Sequence, residues 1–184
     1  GIKLTYELRD ILLSRFGWLT DDLIDSSQEL IKQLNTGVAG LINCILARTH
    51  CSRLILPHGL NQTIQCHNIG LNWITSSSIS GKVVVYESLY RTVNDSLRWQ
   101  LVSIYKGLCN DDSSLNITVV LPQRQNRTSD CSLFCVANAL ALASGIDPSL
   151  VKWEQNKMHA FYRKERKCFR MKLSEHPAQG PNTL

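Results

Sequence analysis

The chain has 184 residues, of which 43% are hydrophobic, and a formal net charge of +5. This length and composition predict one domain with a sizeable core and leave too little chain for two ordinary domains. We place that domain at residues 1–176 and expect residues 177–184, which hold two prolines and a glycine, to form a loose tail. No apolar run approaches the ~20 residues of a membrane span, so the sequence predicts no membrane-spanning helix.

The cysteines are odd in number and show no Cys-x2-Cys spacing, so they predict neither a disulfide framework nor a zinc site. They are Cys44, Cys51, Cys66, Cys109, Cys131, Cys135 and Cys168. No metal and no organic cofactor is implied. Since no signal peptide is present, we expect an intracellular location, in the cytoplasm or the nucleus, and interpret four Asn-x-Ser/Thr sequons as chance matches. Because the chain begins at Gly1 rather than Met, we interpret it as a domain of a longer protein.

The first part of the chain predicts helices. Residues 4–15 have apolar side chains at helical spacing. A second helix is predicted from Thr20, a hydroxyl cap followed by two acidic residues, to about Leu34, with Trp18 packed beneath it. Residues 35–40 read as a loop, and the short apolar run 41–47 permits no firm assignment.

The middle of the chain predicts strands, because short runs rich in β-branched and aromatic residues alternate with Pro, Gly and Asn turns. These runs are residues 53–56, 63–66, 73–78, 82–86 and 117–121. The apolar centre of 82–86 indicates a strand that is covered on both faces. Before the last strand, residues 91–106 predict an amphipathic helix that ends at Gly107.

The last part of the chain is again helical in pattern. A helix is predicted over residues 132–144, with Asp130 or Ser129 as N-cap and Gly145 as its stop, and a basic helix over residues 155–170. The order of helices, strands and helices predicts an α+β fold, with one mainly antiparallel sheet packed by helices.

Cys131 lies at the predicted start of the buried helix, after the polar stretch that begins at Gln125. A thiol in a first helical turn feels the positive end of the helix dipole and unpaired backbone N–H groups, which lowers its pKa. The sequence therefore predicts a nucleophilic cysteine at this position. The alternative is a small apolar residue at the start of a core helix.

Gln125-x5-Cys131, with Asp130 directly before the cysteine, resembles the active-site motif of the SUMO-protease and adenovirus-protease clan of cysteine peptidases. Three further segments are similar to that family's motifs and occur in the family's order. They are Trp18-Leu-Thr-Asp-Asp-Leu-Ile-Asp25, Asn72-Trp-Ile-Thr75 and Val83-Val-Val-Tyr-Glu-Ser-Leu-Tyr90. The resemblance covers residues 15 to 175. It implies a papain-like or adenain-like peptidase fold, with the nucleophile at the N-terminus of a buried helix.

The resemblance also implies roles for residues. Gln125 and the backbone N–H of Cys131 correspond to the oxyanion hole, and two converging donors are what a tetrahedral oxyanion requires. Trp73 corresponds to the tryptophan over the cleft and Trp18 to a region that frames it, although both residues also fit a buried structural role. The implied partner is a ubiquitin-like modifier or a peptide or protein substrate. The sequence fixes no oligomeric state.

The catalytic pattern is incomplete, because Asn72 occupies the position of the family's histidine. An amide neither accepts nor releases a proton near neutral pH, so the general base is missing. Glu87 occupies the orienting acid position, where the adenovirus branch also has Glu. Ser132 replaces the glycine that usually follows the nucleophile, which raises the question of how closely a substrate backbone can approach.

Four interpretations remain open. The first is a peptidase domain with impaired hydrolysis, and the second is a pseudo-protease that binds a modifier or another protein partner. In the third, Asn72 was introduced deliberately, because replacing the general base is one way to trap a substrate complex. Among the other histidines, His67, on the strand before the hairpin turn, is the strongest candidate for a substitute base. The fourth and least favoured is nucleic-acid binding through the basic run at residues 163–172. An engineered Asn72 would give the same sequence as a natural one.

Overall fold

The computed structural model describes residues 19–49, 62–78, 81–89, 93–109, 114–155 and 157–158. The chain divides into two compact units, Trp18–Trp153 and, together, residues 1–17 and 154–184. The sheet and the candidate site lie in the first unit. In the second unit an exposed ion pair joins Lys157 to Glu154 at 2.8 Å.

The first unit contains four helices and five strands within its described residues. In chain order they are α1 (Asp21–Leu34), β1 (Ala39–Gly40), α2 (Cys44–Thr49), β2 (Thr63–Asn68), β3 (Trp73–Ser77), β4 (Val83–Tyr86), α3 (Asp95–Ile104), β5 (Ile117–Val120) and α4 (Cys131–Ala143). Single 3₁₀ turns occur at Lys106–Leu108, Thr128–Asp130 and Pro148–Leu150. The predicted helix at 4–15, the strand at 53–56, the basic helix after residue 158 and the C-terminal tail lie outside the described residues.

The strands form one sheet in the order β1-β2-β3-β4-β5. The inner pairs β2–β3 and β3–β4 are antiparallel, whereas the outer pairs β1–β2 and β4–β5 are parallel. The α+β class is confirmed, and the sheet is mixed. The strand directions follow from the connections along the chain. Tight turns connect the inner strands, whereas the chain between the strands of each outer pair contains a helix.

The two faces of the sheet pack against different helices. One face carries Ile74, Val83 and Val85, which form an apolar cluster with Leu97, Leu101 and Ile104 of α3. On the other face α4 packs against β2, β3 and α1. Within the described residues, no helix is long and apolar enough to cross a membrane.

Helix α4 begins and ends within one residue of the predicted bounds. Its first residue is Cys131 and its N-cap residue is Asp130, although the Asp130 side chain makes no capping bond. At the other end Gly145 adopts φ +74°. The N–H of Ile146 donates to the oxygen of Ala141 at 2.9 Å, which closes a Schellman motif. Thr20 is likewise the N-cap residue of α1 without a side-chain capping bond, so the predicted hydroxyl cap is wrong.

Candidate active site

Two of the sequence-predicted site residues, Asn72 and Glu87, meet at one end of the sheet. Asn72 directly precedes β3 and Glu87 directly follows β4, and these two ends are neighbours because the strands are antiparallel. A tight turn fixes the entry to β3, since the N–H of Ile69 donates to the backbone oxygen of Asn72 at 3.0 Å and Gly70 adopts φ +95°. Glu87 is held at the end of β4 by its N–H, which donates to the oxygen of Val120 at 3.1 Å.

Asn72 and Glu87 are joined directly and are both buried. The amide Nδ2 of Asn72 donates to Oε1 of Glu87 at 2.8 Å. Its Oδ1 accepts the backbone N–H of Trp73 at 2.9 Å. The same Glu87 oxygen accepts the N–H of Leu89 at 2.8 Å. An amide therefore occupies the position predicted for the imidazole, and both ends of that amide are bonded within the protein.

The Cys131 thiol is fully buried at the start of α4. Loss of water around the thiolate raises the pKa of Cys131 to about 11. Backbone N–H groups of Trp73, Ser132 and Cys131 itself act in the opposite direction but do not outweigh burial. The expectation of a lowered pKa at this helix N-terminus is therefore wrong, because desolvation exceeds the stabilisation from the helix end.

The backbone N–H of Trp73 acts on both Asn72 and Cys131. It donates to Oδ1 of Asn72 at 2.9 Å, and it is among the backbone groups that act to lower the pKa of Cys131. Trp73 is 4% exposed, so its indole is buried. Its role over a substrate cleft stays a prediction. Trp18 lies outside the described residues.

Gln125 lies on the segment between β5 and α4 and is also buried. Its backbone N–H donates to the oxygen of Ser88 at 3.1 Å, and its Oε1 accepts from the Ser88 hydroxyl at 2.5 Å. Its Nε2 donates to the backbone oxygen of Arg127 at 2.5 Å. The side-chain amide is thus held at both ends on the approach to Cys131.

Ser132, which replaces the usual glycine, uses its hydroxyl inside the protein. The hydroxyl accepts the N–H of Leu19 at 3.2 Å, and the residue is fully buried. This contact ties the segment before α1 to the first turn of α4. A glycine at this position would leave the N–H of Leu19 without that acceptor.

His67 lies on the face of the sheet opposite α4. Its Nδ1 is 3.0 Å from Oε1 of Gln100 on α3, and its Nε2 is 2.6 Å from the hydroxyl of Ser76. On the other face the Thr75 hydroxyl bonds to the backbone oxygen of Cys135 in α4 at 2.8 Å. Since alternate residues of a strand point to opposite faces, His67 does not reach Cys131. Burial also lowers the pKa of His67 to about 4.

The described part of the chain contains no candidate metal site. Among those residues no group of three or more His, Cys, Asp or Glu side chains is arranged to hold a metal ion. The five described cysteines are free thiols: Cys44, Cys66, Cys109, Cys131 and Cys135.

No protein-family model and no curated protein matches the sequence. Solved structures do match it. A de-sumoylating protease superposes with a TM-score of 0.71 at 12% identity, over 92% of this chain and 87% of that chain. SUMO protease Ulp1, with its catalytic cysteine oxidised to a sulfonic acid, gives a TM-score of 0.69 at 15% identity over 87% and 82%. The C-terminal Ulp1 protease domain in complex with SMT3, the yeast ortholog of SUMO, gives 0.64 at 13% identity over 84% and 79%.

This chain has the fold of the Ulp1-like SUMO proteases. The fold implied by the sequence resemblance is therefore confirmed, and identities of 12% to 15% establish the fold alone. Within this Ulp1-like fold, hydrogen bonds join Trp73, Asn72 and Glu87 in one series, and Gln125 is held by the residue that follows Glu87.

Sequence reasoning missed Ser88. It belongs to the segment Val83–Tyr90 that carries part of the resemblance, but the sequence offered no physical reason to single it out. The feature of the sequence that points to Ser88 is its position directly after Glu87, an acidic site residue. Its contact with Gln125 depends on how residues 121–125 return past the end of β4.

Proposed function

We propose that this protein is a protease-like domain that binds the C-terminal tail of a ubiquitin-like modifier beside Cys131 and hydrolyses it slowly or not at all. The observation that carries the proposal is the 2.8 Å bond from Asn72 Nδ2 to Glu87 Oε1. Through this bond Glu87, at the position of the family's orienting acid, keeps a partner at position 72, but that partner is an amide rather than a proton acceptor.

The proposal of modifier binding is supported by the fold and by the hydrogen bonds within the site. The Ulp1 domain, whose fold this chain shares, has been solved in complex with SMT3. The residues that the resemblance assigns to the cleft are held in place by internal hydrogen bonds. Groups that are held in advance lose little freedom when a ligand binds, so such a cleft favours binding even without turnover.

The hydrolytic half is supported by the protonation chemistry. Thiol attack on a carbonyl requires a thiolate, and the pKa of Cys131 near 11 leaves very little thiolate at neutral pH. Loss of a general base alone typically costs ~10²–10⁴ in rate. His67 does not supply the base, because it lies on the opposite face of the sheet.

The first test compares the parent protein with its Asn72→His variant. Both are incubated with a ubiquitin-like modifier that ends in a thiol-reactive group, and mass spectrometry locates the adduct. We expect labelling at Cys131 to be roughly 10²-fold faster in the variant, because an imidazole bonded to Glu87 can take the thiol proton. Asn116→His, at an exposed position before β5, is the matched control and should behave like the parent.

The second test measures binding without chemistry. Isothermal titration of the parent with an intact modifier should show binding, and removal of the modifier's C-terminal tail should weaken it strongly. Rapid labelling of the parent at Cys131 would overturn the proposal of impaired hydrolysis. Lack of binding by both the parent and Asn72→His, across the modifiers tested, would overturn the proposal of modifier binding.

A further inference from the structure

Ser88 is a buried serine whose hydrogen bonds go to a single residue of the site. Only 2% of its surface is exposed. Its backbone oxygen accepts the N–H of Gln125 at 3.1 Å, and its hydroxyl donates to Gln125 Oε1 at 2.5 Å. These bonds restrain both the backbone and the side chain of Gln125.

The partners determine which way the Gln125 amide is turned. The backbone oxygen of Arg127 can only accept a hydrogen bond, so the nitrogen end of the amide must face it, as observed at 2.5 Å. The oxygen end then faces Ser88, whose single O–H donates to it. A side-chain amide nitrogen carries two hydrogens, and one of them is directed at Arg127. The other hydrogen is left for a different acceptor.

Ser88 also connects the two halves of the site. It directly follows Glu87, which bonds to Asn72, so consecutive residues hold the two amides of the site. The N–H of Leu89 donates back to Glu87 Oε1 at 2.8 Å and fixes the local backbone. A shift of the Ser88 hydroxyl would therefore alter the Gln125 amide without removing the bond between Asn72 and Glu87.

We propose that Ser88 is a positioning residue, which orients the Gln125 side-chain amide so that its second N–H stabilises an oxyanion formed at a carbonyl bound beside Cys131. This inference rests on the proposed function, because it assumes that a modifier tail enters the site. Ser88 itself touches Gln125, and it acts on the reacting carbonyl only through that residue.

The test uses a modifier whose terminal carboxylate is replaced either by an aldehyde or by the corresponding alcohol. The thiol of Cys131 adds reversibly to the aldehyde: a sulfur–carbon bond forms, the carbon–oxygen π bond breaks, and the thiol proton ends on that oxygen. The alcohol binds the same cleft without this step. The ratio of the two dissociation constants therefore measures stabilisation at the oxygen, apart from recognition of the modifier.

In the parent the aldehyde should bind more tightly than the alcohol. We expect Ser88→Ala to reduce that preference about tenfold, the size of one hydrogen bond, whatever its effect on binding of the alcohol, because the ratio cancels any loss that the two ligands share. Ser88→Thr retains the hydroxyl and should retain the preference. Gln125→Ala should lose the preference, and adding Ser88→Ala to it should cause no further loss, because both changes remove the same interaction.

The outcomes separate this inference from the proposed function. If the alcohol binds and Ser88→Ala keeps the full aldehyde preference, or if the parent shows no preference, the role of Ser88 is wrong while modifier binding stands. If neither ligand binds, the proposed function fails. The positioning role of Ser88 is then tested by NMR of the Gln125 side-chain NH₂ group. Its signal is identified as the one that disappears in Gln125→Ala. Faster hydrogen exchange in Ser88→Ala than in the parent and Ser88→Thr supports the positioning role, and unchanged exchange refutes it.

Discussion

Alkylation of Cys131 tests the balance between burial and the helix N-terminus. With a pKa of about 11, Cys131 holds at least about 100-fold less thiolate near neutral pH than an ordinary cysteine with a pKa of ~8.5. Only the thiolate attacks iodoacetamide, so ionisation alone should slow the reaction by that factor, and full burial should slow it further. The rate should also rise about tenfold per pH unit throughout the alkaline range below its pKa.

The assay is a short iodoacetamide pulse on the folded protein, followed by quenching and peptide mass spectrometry at several pH values. The half-buried Cys109 provides an internal comparison and should be modified well before Cys131. In denaturant both cysteines should react at similar rates, which shows that the difference belongs to the fold. If Cys131 were the fastest cysteine near pH 6, desolvation would not be the dominant effect, and the helix dipole argument would be restored.

Two further predictions concern stability. The pKa of His67 falls from 6.5 in the unfolded chain to about 4 in the fold. The stability that the neutral imidazole contributes to the folded state is therefore complete above pH 6.5 and is lost as the pH falls toward 4, by roughly 3 kcal/mol in all. His67→Gln should flatten denaturant-measured stability over that range, and an unchanged pH slope would contradict the reasoning. Gly40→Ala should destabilise by about 3 kcal/mol or more, because a Cβ would lie 2.2 Å from the oxygen of Ile64 and φ is +80°. Gly70→Ala, which also has positive φ (+95°) but nothing within 4 Å, should lose only about 1 kcal/mol in thermal or denaturant unfolding, and equal losses would refute the clash.

The candidate site could be predicted from the sequence because the site residues lie beside short, recognisable elements. Asn72 and Glu87 flank strands that a turn joins, so an antiparallel pairing brings them together without knowledge of the distant chain. Cys131 follows a polar stretch and starts an apolar helix, which is also a local pattern. Gly145 ends that helix for a reason that is visible in the sequence, since glycine tolerates positive φ.

Properties that depend on packing were not predictable in the same way. The raised pKa of Cys131 arises from the groups that cover it, and no sequence pattern reports that cover. The face on which His67 lies depends on the register of β2, and a shift of one residue would reverse it. Helix α2 was missed because it has only six residues, although the Asn43 side chain accepts the N–H groups of Ile45 and Leu46 as an N-cap does.

The amide at position 72 satisfies the hydrogen-bonding groups on both sides of it. Glu87 is buried, and removing the donor from its Oε1 without a substitute would leave a carboxylate oxygen poorly bonded, which is strongly unfavourable. Asn72 provides that donor and also accepts the Trp73 N–H, so it satisfies both neighbours. Unlike imidazole, it does so in one charge state across the neutral pH range. Under the proposed function, the bond between Asn72 and Glu87 therefore has two effects: it places an amide where proton transfer would need a base, and it holds Glu87 in a site that binds a modifier tail rather than cutting it.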